Sequence, residues 1–336
     1  MFKFPVASPY HIFESVHWIW KNATGLNRDG ADFVYPINRA VCLNEGLKER
    51  YTLAFIGDIL PTRGRTIQFG KGLREMISNC DLLVGNLEGI VTDVDKDSWM
   101  PTSDLRHDSS IISVLADLFP PERTCLSLAN NHSGDFGQEE FLKSAQLFRS
   151  RKFKVVGWGE QSFVDLNPDI RVVAGSQWSN RNGDFLFRLD QAGRFIKRGA
   201  FNILFPHYGY EFELFPRPEI MLRSRVWLHD FDAVIGHHSH CPQPVCSEKI
   251  HGQGHKKLLA YSLGDFLDPQ NKDSYRYGIV VKLRIGQDPE GHWGTGQVEW
   301  QLTSCRVLPG GGLEVEVTDE DIFSRNSLRS KRSLNS

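Results

Sequence analysis

The stretch "YTLAFIGD", residues 51–58, decides the predicted fold of the chain. Its apolar run is short enough for a single strand, and it ends in a glycine followed by the acidic Asp58. Runs of the same kind recur along the chain and alternate with polar segments that have helical spacing. This alternation predicts an α/β fold in which helices connect the strands.

The other strand candidates lie downstream and are bounded in the same way. They are "DLLVG" (81–85), "TCLSLA" (124–129), "FKVVGW" (153–158), "FNILFP" (201–206), "DAVIG" (232–236) and "KLLAYSLG" (257–264). Two helical segments between them are "GQEEFLKSAQLFRSR" (137–151) and "PEIMLRSRVWLHD" (218–230). Three later runs, 277–285, 298–308 and 312–319, have no helices between them and predict a meander that closes the domain.

The pattern divides the chain into three parts. Residues 1–50 are expected to form an N-terminal extension that packs on the main domain, and residues 51–320 the domain itself. Residues 321–336 are polar and basic, and we expect them to be a disordered tail. With 336 residues and 40% hydrophobic content, the chain can bury a large core.

Composition and charge exclude several classes of protein. The formal net charge is −2 and the charges are interspersed, so the basic patch expected of a nucleic-acid partner is missing. No signal peptide is visible, and no apolar run approaches the roughly 18 residues of a membrane span. We therefore expect no membrane insertion and a cytoplasmic location. The six cysteines are irregularly spaced and do not suggest a disulfide framework.

Polar side chains that can bind metal follow the predicted strands. They are Asp58, Asn86 and Glu88, Asn130, Asn131 and His132, His207 and then Glu211, the cluster His237, His238 and His240, and Asp265. Because ligands bind beyond the carboxyl ends of the strands in an open α/β sheet, we expect these side chains to line one crevice.

The chemistry of this set indicates a metal centre. Carboxylate and amide oxygens with imidazoles, and without thiolates, suit Mn, Fe or Zn. The six predicted ligands are Asp58, Glu88, Asn131, His207, His238 and His240. They are too many for one tetrahedral ion, so two divalent metal ions about 3.5–4 Å apart are expected, with Glu88 or Asp58 as the bridge. Taken singly, each residue has a plainer interpretation, such as a helix cap, a turn residue or a buried histidine.

The three histidines of "GHHSH" are not expected to be equivalent. In an extended backbone, His238 and His240 point to the same side and His237 to the opposite side. We therefore expect His237 to be a supporting residue whose replacement costs less metal than that of the other two.

The ordered motifs "GD", "GNLEG", "LANNHSGDFG", "HYGYE", "GHHSH" and "YSLGDF" resemble those of the CapA/PgsA family of bacterial poly-gamma-glutamate capsule synthesis proteins. That family is similar to the calcineurin-like metallophosphoesterases. The resemblance implies a four-layer, metallophosphoesterase-like β-sandwich flanked by helices, with a dinuclear centre at one edge. It also implies that Asn131 binds the second ion and that His132 is the catalytic residue, acting as general acid or stabilising an oxyanion.

The chain departs from the motifs of these relatives at three positions. Leu60 stands where the phosphoesterases have a ligand histidine, which puts one ion in question. Ser239 replaces a proline. Asp265 replaces an asparagine, and this extra carboxylate either raises cation affinity or only caps a turn.

The sequence leaves two functions open. One is a metal-dependent hydrolase that cleaves an amide, a gamma-glutamyl bond or a phosphoester in a small-molecule or peptide substrate. In that case Arg63, with Arg65 and Lys71, is a candidate for binding substrate carboxylates. The other is a non-catalytic assembly or regulatory partner of a biosynthetic complex. Residues expected to support the centre or contact substrate are Asn86, Asn130, Glu211, His237, Asp265 and Arg63.

Overall fold

The computed structural model describes residues 10–26, 39–95, 104–181, 183–270 and 276–320. The predicted tail at 321–336 lies outside these ranges. Of the predicted N-terminal extension, the structure describes residues 10–26 and 39–50.

Eighteen strands are described within these ranges. They are β1 Arg39–Cys42, β2 Lys48–Ile59, β3 Ile67–Phe69, β4 Leu82–Leu87, β5 Ile90–Val91, β6 Arg106–His107, β7 Thr124–Ser127, β8 Lys154–Val156, β9 Phe163–Asn167, β10 Ile170–Ser176, β11 Phe201–His207, β12 Ala233–Ile235, β13 Val245–Lys249, β14 Lys256–Ala260, β15 Asp265–Leu267, β16 Tyr277–Gln287, β17 Trp293–Val307 and β18 Leu313–Val317.

Five α-helices accompany them in the described residues. They are α1 Ile12–Thr24, α2 Lys71–Ser78, α3 Ile111–Leu118, α4 Gln138–Ser150 and α5 Pro218–Trp227, and two 3₁₀ helices span Pro121–Arg123 and Leu189–Phe195. None of these helices combines the length and hydropathy of a membrane-spanning segment.

Two mixed sheets form the centre of the fold. The larger has ten strands, in the order β3-β18-β17-β16-β2-β4-β7-β8, with β1 added at β17 and β15 added at β2. The smaller has six, in the order β13-β14-β12-β11-β10-β9. In the larger sheet β2, β4, β7 and β8 are parallel. In the smaller sheet β10, β11, β12 and β14 are parallel.

The sheets pack face to face because each presents an apolar face to the other. Phe55 of β2 and Phe205 of β11 are fully buried between them, with their ring centroids 6.1 Å apart. The opposite face of the larger sheet carries α2, α3 and α4, whose buried residues share a second apolar core with it. The opposite face of the smaller sheet packs against α5. The result is the four-layer β-sandwich flanked by helices, and the predicted α/β fold class is confirmed.

The local predictions agree with the structure in their main elements. The two quoted helical segments contain α4 and α5, and the three closing runs are β16, β17 and β18, joined in an antiparallel meander. The larger sheet also takes in residues that precede Tyr51, because β1 pairs with β17 and β2 begins at Lys48. All six cysteines are free thiols, as expected.

Gly57 is the point at which backbone packing fixes the end of β2. A Cβ atom added there would lie 1.9 Å from the carbonyl oxygen of Gly264. That same carbonyl accepts a hydrogen bond from the amide of Asp58 at 2.9 Å. The two backbones therefore approach as closely as they do only because residue 57 has no side chain.

Replacing Gly57 by alanine is expected to lower the free energy of unfolding by about 1–3 kcal/mol, because a backbone must move to accommodate the methyl group. Denaturant unfolding measures the change. Gly254→Ala is the matched control, since a Cβ at Gly254 meets no atom within 4 Å. Equal stability of the two variants would contradict the packing described for Gly57.

Candidate metal centre

Asp58 lies at the junction of the two sheets and is fully buried. In the larger sheet, Asp58 is the strand-register partner of Asn86 in β4 on one side and of Asp265 in β15 on the other. Its Oδ1 accepts a hydrogen bond from Asn86 Nδ2 at 2.8 Å, and its Oδ2 accepts one from the backbone amide of His238 at 2.8 Å. The side chain of Asp58 thus connects the ends of the parallel strands in both sheets.

A first group of donor atoms surrounds Asp58 on the side of the smaller sheet. His237 Nδ1 lies 3.1 Å from Asp58 Oδ1, and His207 Nδ1 lies 3.9 Å from the same oxygen. The two Nδ1 atoms are 2.8 Å apart. Ligand atoms that each lie about 2.0–2.2 Å from one ion are separated by roughly 3 Å, so this spacing fits a shared divalent cation.

A second group contains the same aspartate. Ligand atoms of Asp58, Glu88 and His240 all lie within 4.8 Å of one another, and His240 Nε2 is 3.6 Å from Glu88 Oε1. Asp58 therefore belongs to both groups, as a bridging carboxylate would.

A third group lies next to the second. Ligand atoms of Glu211, His238 and His240 also fall within 4.8 Å of one another, and all three residues are buried. Since His240 belongs to the second and third groups, the donor atoms form one continuous cluster.

The backbone that carries the histidine cluster is not extended. His238 has φ 101° and His240 has φ 53°, both in the left-handed region that residues other than glycine seldom adopt. The alternation of sides expected for an extended strand therefore does not hold. The expectation of an extended backbone through the histidine cluster is wrong, and His237 Nδ1 lies beside Asp58 Oδ1 and His207 Nδ1.

Asp265 contacts a predicted ligand directly. Its Oδ1 accepts a hydrogen bond from His240 Nδ1 at 2.8 Å, which leaves Nε2 of His240 directed at Glu88. A carboxylate on the second nitrogen of a ligating histidine fixes the tautomer and the orientation of the ring. Asp265 therefore contacts a predicted ligand, and its effect on cation affinity stays a prediction.

The asparagines support the centre in different ways. Asn131 Oδ1 accepts a hydrogen bond from His207 Nε2 at 2.8 Å, so its amide adjoins the first donor group. Asn130 ties two strand ends together, because its Nδ2 donates to the carbonyl oxygen of Leu87 at 2.7 Å and its Oδ1 accepts from the amide of Gly89. The predicted ligand role of Asn131 stays a prediction.

His132 forms a dyad with a carboxylate at the edge of the cluster. Its Nδ1 lies 2.6 Å from Asp135 Oδ2, and Asp135 is buried. Asn180 Nδ2 lies 3.2 Å from His132 Nε2, and Asn131 Nδ2 donates to Asn180 Oδ1 at 3.3 Å. Asn180 thereby links His132 to the asparagine that contacts His207.

Two predicted positions have no part in the donor groups. Arg63 is exposed in the turn after β2, and the described residues show no hydrogen bond or ion pair between it and the cluster. Leu60 is buried and offers no ligand atom. His237 supplies an imidazole beside Asp58 instead.

Burial and neighbouring charges shift the acid–base behaviour of the cluster. Burial opposes ionisation of Asp58, but the hydrogen bond and the charge of His237 outweigh it and hold the pKa of Asp58 below its ordinary value. Burial raises the pKa of Glu88 and of Asp265 well above the ordinary range. Burial and the neighbouring imidazoles hold the pKa of His207 and of His238 well below 6.5, so both rings are neutral at pH 7, as metal ligands must be.

Several buried polar atoms indicate that the cluster suits a cation. Neither carboxylate oxygen of Glu88 has a hydrogen-bond partner among the described residues, and the side chain is fully buried. The buried atoms His237 Nε2, His238 Nδ1 and Asp265 Oδ2 likewise have no hydrogen-bond partner among the described residues. Burying a carboxylate without hydrogen bonds is costly, and a bound cation removes that cost. The residues therefore fit a divalent metal.

Sequence reasoning missed several residues of this region. Asp135 stands three residues after His132 inside a quoted motif, so its spacing was a usable signal. Asn180 and His107, whose Nε2 lies 2.8 Å from the carbonyl oxygen of Glu88, carry no such signal. Tyr10 and Trp18 are about 200 residues from the glutamate that they contact, and nothing in the local sequence indicates it.

The sheets and the donor groups define an α/β sandwich protein with a candidate metal centre where parallel strands of both sheets end. The family model "Bacterial capsule synthesis protein PGA_cap" matches residues 52–179 and 186–270, which is more than half of the chain. The chain belongs to this family.

A similar curated protein is the capsule biosynthesis protein CapA of Bacillus anthracis. It is 25% identical over 272 residues, which make up 70% of this chain and 64% of that protein. The alignment thus spans less than two thirds of the relative's length. Among solved structures, one overlaps 70% of this chain and 95% of its own at 11% identity and a TM-score of 0.39. Vps29 of Chaetomium thermophilum overlaps 76% and 98% at 9% identity and a TM-score of 0.25.

The position of His237 beside Asp58 predicts that its replacement also costs metal. His237→Ala is expected to lose metal to the same extent as His207→Ala, because both rings adjoin Asp58 Oδ1. Elemental analysis of the purified variants measures the loss, with the exposed His251→Ala as the control. Wild-type metal content in His237→Ala would contradict this placement.

Proposed function

We propose that the protein is a metal-dependent hydrolase that acts on an amide, a gamma-glutamyl bond or a phosphoester. The observation that carries the proposal is the shared carboxylate of Asp58, which belongs to two groups of buried donors. A centre of this form is suited to two ions that flank one aspartate. Family membership and the capsule role named for the relative support a substrate from capsule-type biosynthesis.

Two sets of residues that share Asp58 would hold the two ions. Asp58 with His207 and His237 would hold one, and Asp58 with Glu88 and His240 would hold the other. His238, which shares the third donor group with His240, would be a further ligand. The mixed oxygen and nitrogen donors favour Mn, Fe or Zn. When bound, such ions lower the pKa of a water molecule and polarise the bond that it attacks.

His132 is the proposed proton donor to the leaving group. Asp135 accepts a hydrogen bond from its Nδ1, which leaves Nε2 as the atom that exchanges a proton with the substrate. Asn180 contacts the ring of His132 and the amide of Asn131, so it orients the dyad relative to the first donor group. This arrangement performs general acid catalysis with a histidine whose orientation is fixed.

A panel of substrates identifies the bond that the protein cleaves. Gamma-glutamyl oligomers and aryl phosphates, each assayed with Mn²⁺ and with Zn²⁺, separate the two classes of substrate. Turnover of the oligomers supports a peptide substrate of the capsule type, and turnover of the phosphates alone supports a phosphoesterase. A metal-loaded protein that turns over neither contradicts the hydrolase proposal.

The second candidate is a non-catalytic partner in a biosynthetic complex, located in the cytoplasm as the sequence predicts. Leu60 favours it, because one ligand position of the phosphoesterases is lost. Copurification of a partner that persists in His240→Ala would support this role, since an assembly surface does not depend on a ligand histidine.

If His132 is the general acid, its replacement should lower kcat without lowering the metal content of the protein. His132→Ala is expected to lower kcat by about 10²–10⁴-fold, the usual contribution of a positioned acid or base. Its metal content should equal that of the wild type, because His132 lies outside the three donor groups. Asp135→Asn should also lower kcat, since the carboxylate on Nδ1 fixes both the tautomer and the orientation of the ring.

Steady-state kinetics on the best substrate of the panel, together with elemental analysis, measures both quantities. His251→Ala serves as the control. An unchanged kcat in His132→Ala would remove this residue from the mechanism.

A further inference from the structure

The segment around α1 contacts the candidate metal centre through polar side chains. Tyr10 Oη lies 2.9 Å from His238 Nε2 and donates to Glu211 Oε1 at 3.3 Å. The backbone amide of Glu211 donates to the same hydroxyl, and Trp18 Nε1 donates to Glu211 Oε2. Tyr10 is therefore placed between a carboxylate and a histidine of the third donor group.

Ion pairs and hydrogen bonds also anchor helix α1 to the rest of the protein. Lys21 Nζ lies 2.9 Å from Glu213 Oε1, and both side chains are buried. Arg217 forms a hydrogen bond of 2.7 Å with Glu14. Large apolar side chains of the helix are exposed instead, namely Ile12, Phe13, Val16, Ile19 and Trp20. The helix thus brings hydrogen-bonding groups to the loop after β11 rather than filling a core.

The hydroxyl of Tyr10 can donate only one proton. A carboxylate oxygen is a stronger acceptor than a ring nitrogen, and Tyr10 Oη donates its proton to Glu211 Oε1. His238 then fills the remaining contact by donating from Nε2–H to the phenol oxygen.

The tautomer with a proton on Nε2 has its lone pair on Nδ1. His238 Nδ1 is buried and has no hydrogen-bond partner among the described residues. Two other histidines show the same arrangement, with Asn131 on Nε2 of His207 and Asp265 on Nδ1 of His240. In each case a side chain binds one ring nitrogen and leaves the other available as a ligand.

We infer that Tyr10 is a positioning residue of the metal centre. By donating to Glu211 and accepting a hydrogen bond from Nε2–H of His238, it leaves Nδ1 of that ring free to bind a divalent cation. The inference rests on the proposed metal centre for its cation. The tautomer itself is a property of the metal-free protein and is measured separately.

The experiment uses the full chain with ¹⁵N-labelled histidine rings, freed of metal with a chelator. Two-dimensional spectra that correlate ring protons with ring nitrogens report the tautomer of each histidine, and His238→Ala assigns the signals. We expect wild-type His238 to carry its proton on Nε2 and Tyr10→Phe to lose this preference. Tyr210→Phe is the matched control, because Tyr210 stacks on Tyr10 with ring centroids 5.8 Å apart.

Titration with Co²⁺, followed by its visible absorption, gives the second readout. We expect Tyr10→Phe to weaken cobalt binding by about 10–100-fold, the usual effect of removing a group that orients a ligand. Trp18→Phe should weaken it less, since Glu211 keeps its contact with Tyr10. Circular dichroism confirms that each variant is folded.

Two results would overturn the inference. One is a wild-type His238 that carries its proton on Nδ1, and the other is a Tyr10→Phe variant that matches Tyr210→Phe in both tautomer and cobalt affinity. A wild-type protein that binds no cobalt but shows the expected tautomer contradicts the proposed function instead, while the contact from Tyr10 to His238 stands.

Discussion

The candidate site depends on the burial of the Asp58 carboxylate at the junction of the two sheets. The amide of Asn86 on the neighbouring strand and the backbone amide of His238 from the opposite sheet both donate to it. A fully buried carboxylate is tolerated only when hydrogen bonds or cations compensate for the loss of water. The strands must therefore end where they do, and the loops of both sheets must converge on one side chain.

The convergence also explains the unusual backbone of the histidine cluster. To place the amide of His238 on Asp58 and the ring of His240 on Asp265, the chain adopts positive φ angles at both histidines. Such conformations are costly for residues with side chains and persist where the surroundings compensate for them. The hydrogen bonds to Asp58 and Asp265 are the compensation that this structure shows.

Much of the fold and part of the site could be predicted from the sequence. The alternation of apolar runs and helical segments predicted the parallel strands. Asp58, Glu88 and His207 come together because the carboxyl ends of parallel strands from both sheets meet. The course of the chain through the histidine cluster could not be predicted, because His238 and His240 adopt positive φ angles in their tertiary surroundings. Tyr10 could not be predicted either, since its contact with Glu211 joins residues 201 apart in the chain.

The most direct test of the role of Asp58 is the number of divalent ions bound per chain in protein purified without a chelator. Elemental analysis should find two ions in the wild type. Asp58→Asn, shown to be folded by circular dichroism, should lose both ions, because the aspartate belongs to both donor groups. Retention of two ions in Asp58→Asn, or a wild-type protein that binds none, would contradict a centre built around this carboxylate.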